Sequence, residues 1–286
     1  MKLNRNIETF LGCEKEYDNA NIVLFGAPFD STASYRPGTR FAAKTMRSES
    51  YNMETYSPYL DKDLAEDSAV FDGGELELSL GDTQKTLRII YEYTKNLLFD
   101  HKLPFMIGGE HLVTLGAFKA VAEKYPDVHI IHFDAHADLR NEFLGTPFSH
   151  ATVLHRCHDI IGDGRIFQFG IRSGEKAEML WGNEHVYTRK FDFIGLDEII
   201  TKLADKPIYF TVDLDVLDPA VLPGTGTPEA GGVSFNELRT AMQKVAALNI
   251  VGTDMVELSP PCDLSGMSTT VALKLLREYL LALSTK

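Results

Sequence analysis

Short apolar runs separated by amphipathic segments set the tightest limit on what this chain can fold into. The runs cover residues 21–25, 104–107, 128–133, 165–171, 207–212 and 250–256, and residues 185–187 offer a further short one. Several are apolar on both faces, as strands buried inside a parallel sheet are. Helical stretches lie between them. Residues 82–99 carry Leu87, Ile90, Tyr91, Thr94, Leu97 and Leu98 at helical spacing after Gly81. Residues 113–124 stop before Pro126, and residues 268–284 carry another apolar stripe. Residues 234–248 open with Ser234 and have Glu237 three positions on, the spacing of a capping box. Strand–helix alternation of this kind implies a parallel sheet covered by helices on both faces, an α/β architecture.

No internal repeat, low-complexity tract or Pro/Ser linker divides the chain, so residues 1–286 are expected to form a single domain. The 41 acidic against 28 basic residues leave a formal net charge of -13. That balance speaks against nucleic acid as a partner, which needs basic phosphate contacts, and favours approach of a small cation. Cys13, Cys157 and Cys262 are odd in number and form no CxxC pair, so they are expected to be reduced, small buried residues. The stretch from Met1 to Asp18 is polar, unlike a signal peptide, and Leu11-Gly12-Cys13 lacks the apolar run that would precede a lipid-attachment site. No stretch is long and apolar enough to span a membrane. The expectation is a cytoplasmic protein without a membrane partner.

In parallel sheets function collects in the loops beyond the carboxyl ends of the strands. The polar and glycine-rich loops 26–38, 108–111, 134–150, 213–232 and 257–263 all fall there. Two of them carry metal-type side chains at alternate positions. Asp134-Ala135-His136-Ala137-Asp138 follows one apolar strand, and Asp213-Leu214-Asp215 ends another. Alternate residues of an extended chain point to one side, so each segment aims its side chains at a common point. Carboxylates mixed with imidazoles and no thiolate suit Mn²⁺ or a similar divalent ion. His111, after Gly108-Gly109-Glu110, can reach the same edge. Asp134, His136, Asp138, Asp213, Asp215 and His111 are therefore candidate metal ligands. A lone strand-end Asp is ordinarily a cap, but two such patterns behind two apolar strands are poorly explained by caps. His132, in the same row, is assigned a structural role, and Asp218-Pro219 a turn.

These segments resemble the signatures of the ureohydrolase (arginase/agmatinase) family of dinuclear manganese enzymes. The resemblance rests on Gly108-Gly109-Glu110-His111, on His132 to Asp138, on Phe210 to Pro219 and on Pro223 to Gly232. Gly26-Ala27-Pro28-Phe29-Asp30 and Arg36-Pro37-Gly38 add to it. It implies a three-layer α/β/α fold with a mostly parallel, roughly eight-stranded sheet, where periodicity alone shows about seven strands. It implies two Mn²⁺ per subunit, one held by His111, Asp134, Asp138 and Asp213, the other by Asp134, His136, Asp213 and Asp215. It further implies that His150 shuttles protons and that Glu257 orients a substrate guanidinium, a pairing that two parallel hydrogen bonds would favour. A homo-oligomer, trimer or hexamer, is implied as well.

The implied reaction is hydrolysis of a guanidinium carbon, with Asp138 taking a proton from the attacking hydroxide and His150 protonating the leaving amine. Loop 139–148 resembles that of bacterial agmatinases rather than the Asn- and Ser-bearing arginase loop. Glu110 and Glu229 lean the same way, so agmatine, giving putrescine and urea, is the expected substrate. Glu142 is a candidate complement to its ammonium. Arg140 could instead pair a carboxylate tail, which keeps guanidinobutyrase in play beside arginase. The related deacetylase branch uses one zinc, and Asp138 with Asp215 argues against it. A non-catalytic metal-stabilised scaffold would be expected to lack His150 or Glu257, and both are present.

Overall fold

The computed structural model describes residues 8–79 and 81–284. Eight strands form one all-parallel sheet: β1 (Ile22–Ala27), β2 (Val70–Glu75), β3 (Leu103–Gly108), β4 (His129–Phe133), β5 (Ile166–Ile171), β6 (Tyr187–Lys190), β7 (Pro207–Asp213) and β8 (Asn249–Val256). Their spatial order is β2-β1-β3-β8-β7-β4-β5-β6. Among the described residues nine α-helices accompany them: α1 (Ala42–Glu49), α2 (Leu64–Asp67), α3 (Thr83–Phe99), α4 (Val113–Lys124), α5 (Val153–Ile161), α6 (Lys176–His185), α7 (Leu196–Lys202), α8 (Phe235–Val245) and α9 (Met267–Leu283). None of the described helices is long and apolar enough to cross a membrane.

The period-two alternation of the strands divides the interior into two cores. Ile22, Leu24, Phe105, Ile107, Phe133 and Phe210 join residues of α1, α8 and α9 on one face. Val23, Phe25, Met106, Ile130 and Tyr209 join residues of α3, α4 and α5 on the other. The expected three-layer α/β/α arrangement follows. The helix starts match their caps: the Asp82 side chain accepts from Lys85 N–H and that of Ser234 from Glu237 N–H.

Two expectations need correction. The strand expected at 185–187 lies two residues later, because His185 is the last residue of α6 and β6 starts at Tyr187. The eighth strand is β2, which periodicity missed; it lies at the sheet edge and reads Val-Phe-Asp-Gly-Gly-Glu. An edge position tolerates the polar and glycine residues that a buried strand would not. Cys13 and Cys157 are buried as expected, but Cys262 is only half-buried, in contact with Ser259 Oγ at 3.2 Å.

The chain order puts β8 and β7 between β3 and β4. The carboxyl ends of these four central strands thus bring loops 108–111, 257–263, 213–232 and 134–150 together. Loop 26–38, after β1, joins them from the side. A glycine is required where these loops meet: a Cβ on Gly109 would lie 1.8 Å from the Phe29 carbonyl oxygen. That close approach allows Glu110 N–H to bond Phe29 O at 2.8 Å and Glu257 N–H to bond Gly109 O at 3.0 Å.

Candidate metal centre

The six candidate ligands converge at the central carboxyl edge. His111 Nδ1 lies 3.0 Å from Asp134 Oδ2, 3.2 Å from Asp138 Oδ2 and 3.4 Å from Asp213 Oδ2. His136 Nδ1 lies 2.9 Å from Asp215 Oδ2 and 3.6 Å from Asp134 Oδ1. All are buried except His136, whose side chain is 23% exposed. Two atoms at the heart of the cluster, His111 Nδ1 and Asp215 Oδ2, are buried without a hydrogen-bond partner. Donor atoms about 2 Å from one ion sit roughly 3 Å from each other, which is the spacing seen.

The electrostatics ask for a cation. Burial first, and the Asp134 charge second, push Asp138 up to about 7. Burial, then the charges of Asp215 and Asp134, hold Asp213 well above the ordinary carboxylate range. Burial works against a proton on His111, but the Asp134, Asp138 and Asp213 carboxylates that face its Nδ1 work the other way and raise its pKa well above the imidazole norm. Packed carboxylates of this kind are relieved by a divalent ion among them. The donor set therefore fits a hard to borderline divalent cation.

Neighbouring strands aim these side chains. Tyr209 OH and Thr211 Oγ donate to the buried Asp254, at 2.5 Å and 2.6 Å. Thr211 Oγ, its own proton committed, accepts from His111 Nε2 at 2.9 Å. This holds Nε2 as the protonated nitrogen, so a cation bound in the cluster would take the place of the proton on Nδ1. Gln168 Nε2 donates to His132 Nδ1 at 3.0 Å, so His132 Nε2 carries the proton that binds Asp134 Oδ2 at 2.8 Å. With both nitrogens engaged, His132 is a support for Asp134, in keeping with the structural role assigned to it. Asp218 accepts the N–H groups of Ala220, Gly231 and Gly232, the turn expected of it. Sequence reasoning missed Asp254, Thr211 and Gln168. Only Asp254 left a signal, a charge inside an otherwise apolar strand.

Glu257 and His150 stand at the same edge. Glu257 follows β8 with φ +65° and Asp138 has φ +55°, a left-handed backbone that non-glycine residues rarely adopt. Glu257 Oε1 accepts the His111 N–H at 2.7 Å, which leaves Oε2 free of that bond. Burial, then the Glu110 charge, raises Glu257 well above the usual carboxylate range. His150 is held by loop 26–38: its N–H donates to Thr32 Oγ at 3.3 Å and Nε2 meets Ser34 Oγ at 3.3 Å. Burial, then the His136 charge, pulls its pKa down to about 4. A cavity of about 170 Å³ opens onto His136, Asp138, Arg140, Phe143, His150 and Glu178. A narrower space beside it touches Glu257, and His150 lines both.

The two substrate-tail candidates differ from expectation. Arg140 lines the cavity, but Glu175 at 3.1 Å and Glu178 at 3.5 Å flank its guanidinium, which lies over the Phe143 ring. Glu142 is exposed and absent from the cavity wall. Glu229 also stands outside the cavity wall but lies nearer the centre: its Oε1 accepts from Ser173 Oγ at 3.0 Å and lies 3.9 Å from His136 Nε2.

The arginase family model matches residues 20–282. An agmatinase of Bacillus subtilis is 44% identical over 96% of both chains. A human mitochondrial guanidino acid hydrolase is 32% identical over 93% of this chain and 79% of its own. The crystal structure of the agmatine ureohydrolase of Thermoplasma volcanium superposes with a TM-score of 0.89 at 33% identity, covering 98% of this chain and 95% of that one.

Proposed function

Because the chain belongs to the arginase family, we propose that it is an agmatinase, hydrolysing the guanidinium of agmatine to urea and putrescine with two Mn²⁺ per subunit. Convergence of two imidazoles and four carboxylates beside the Glu257 carboxylate carries this reading. His111, Asp134, Asp138 and Asp213 would hold one ion, and Asp134, His136, Asp213 and Asp215 the other. When bound, such a pair lowers the pKa of water toward neutrality and neutralises developing negative charge.

The chain's own residues supply the rest. Glu257 Oε2 accepts from the guanidinium and turns its carbon toward the cluster, while Oε1 stays on the His111 N–H. Asp138 accepts a proton from the attacking water. His150 is neutral at pH 7, so it can take up a proton and return it to the leaving amine. Arg140, flanked by two carboxylates, offers a carboxylate tail little net charge, whereas Glu229 can face an ammonium. An amine-tailed substrate is therefore favoured over a guanidino acid. A cytoplasmic homo-oligomer, trimer or hexamer, belongs to the same proposal.

The test is urea release by purified, Mn²⁺-loaded protein with agmatine, arginine and 4-guanidinobutyrate side by side. Clear preference for agmatine is expected. Preference for either carboxylate-bearing substrate would overturn the substrate, and no urea from any of them despite bound metal would overturn the reaction.

A further inference from the structure

Helices α5 and α6 each run from the carboxyl edge of the sheet back to the start of the next strand, so both end at the opposite, amino edge. Three donor atoms meet there. His158, in the last turn of α5, puts Nε2 2.7 Å from Asp163 Oδ1, and His185, the last residue of α6, puts Nδ1 2.6 Å from the same oxygen. The three ligand atoms lie within 4.8 Å of one another.

The surroundings are shaped around this point. Gly162 and Gly164, both at positive φ, flank Asp163. Gly162 N–H bonds His158 O at 2.7 Å and Gly164 N–H bonds His185 O at 3.0 Å, which ties the turn to both helices. Trp181, the chain's one tryptophan, stacks on His185 at 4.4 Å and meets His158 edge-on at 4.8 Å. The His158 and His185 side chains are 14% and 28% exposed, while Asp163 is 67% exposed. The rings are thus anchored and the carboxylate side is open to solvent. Two imidazoles with one carboxylate suit a late first-row divalent ion rather than Mg²⁺ or Ca²⁺. The carboxyl ends of two helices favour a cation at the same place.

We propose that His158, Asp163 and His185 form a second metal site, for a Zn²⁺-class ion, that clamps α5 to α6. Both helices start at the cavity wall. His150 lies just before α5, and Glu178 in the first turn of α6 accepts the Leu139 N–H at 2.8 Å. The clamp therefore braces the far ends of two helices whose near ends shape the cavity.

Trp181 is the built-in reporter. Cu²⁺ titrated into the Mn²⁺-loaded protein should quench its fluorescence in one saturable step of one equivalent, and Zn²⁺ should reverse the quench. Asp163→Asn and His185→Ala should each weaken Cu²⁺ binding by more than the roughly 10–100-fold that loss of an outer partner costs. With Mn²⁺ alone, and the second site therefore empty in parent and variants alike, urea release should be the same in all three. Asp163 is exposed, so its variant stands alone as the test should His185→Ala fold poorly. Unchanged quenching affinity in a folded variant, or no saturable quench in the parent chain, overturns the proposal.

Discussion

Glu110 immediately precedes a candidate ligand, yet its carboxylate turns away from the cluster to Thr32, whose N–H donates to Oε2 at 2.9 Å and whose hydroxyl binds Oε1. Burial pushes its pKa from 4.5 up to about 7, against the pull of the Thr32 bonds. The folded chain therefore binds this proton more tightly than the unfolded chain. The associated stability is fully present below about 4.5 and is lost as pH rises through about 7. Glu110→Gln removes that loss. The variant should be more stable than the parent at pH 8 by about 1–3 kcal/mol, and the gain should vanish by pH 5. Denaturant midpoints at the two pH values measure this, and parallel curves would sink it. The candidate ligands were legible in the sequence because Asp134, His136 and Asp138 alternate, as do Asp213 and Asp215. Their supports were not: Gln168 and Thr211 act through contacts across strands, which no local spacing encodes, and Asp254 showed only as a charge within the run 250–256.

Between elements, register is what couples strand to site. In the β8–β7 ladder Asp254 pairs with Thr211, and Thr253 with Phe210. This pairing sets the Asp254 carboxylate beneath Thr211 and, through it, beneath the His111 ring. A slip of one residue would turn every side chain of β8 to the other face. Thr211→Val keeps the shape of the strand but leaves His111 Nε2–H without its acceptor and Asp254 with one donor fewer. We expect a stability cost of about 1–3 kcal/mol for the buried unpaired groups. We also expect Mn²⁺ affinity to fall roughly 10–100-fold. Calorimetric titration of the metal into parent and variant checks this, and equal affinities would remove His111 support as the role of Thr211. The same logic explains what periodicity could read. The buried strands announce themselves as continuous apolar runs, whereas β2, at the edge with Asp72, Gly73, Gly74 and Glu75, does not. The short α7 buries only Leu196 and Ile199, too few positions to trace a stripe.

Across the whole molecule, the excess of acidic residues bears on how substrate arrives rather than on how the chain folds. A net charge of -13 gives the molecule as a whole a negative field, which attracts cations. Agmatine carries a guanidinium and an ammonium, whereas 4-guanidinobutyrate carries one positive and one negative group and no net charge. Added salt shortens the Debye length from about 30 Å at 0.01 M to about 10 Å at 0.1 M. If the field draws substrate in, kcat/KM for agmatine should fall severalfold over that range, with kcat unchanged and metal loading held constant. For 4-guanidinobutyrate the ratio should stay flat, because an uncharged solute feels only field gradients. Steady-state urea release in matched buffers with and without NaCl makes the comparison. A salt response of equal size for both substrates would point to an effect of salt on the protein or its metals, and the acidic surface would then have no part in substrate capture.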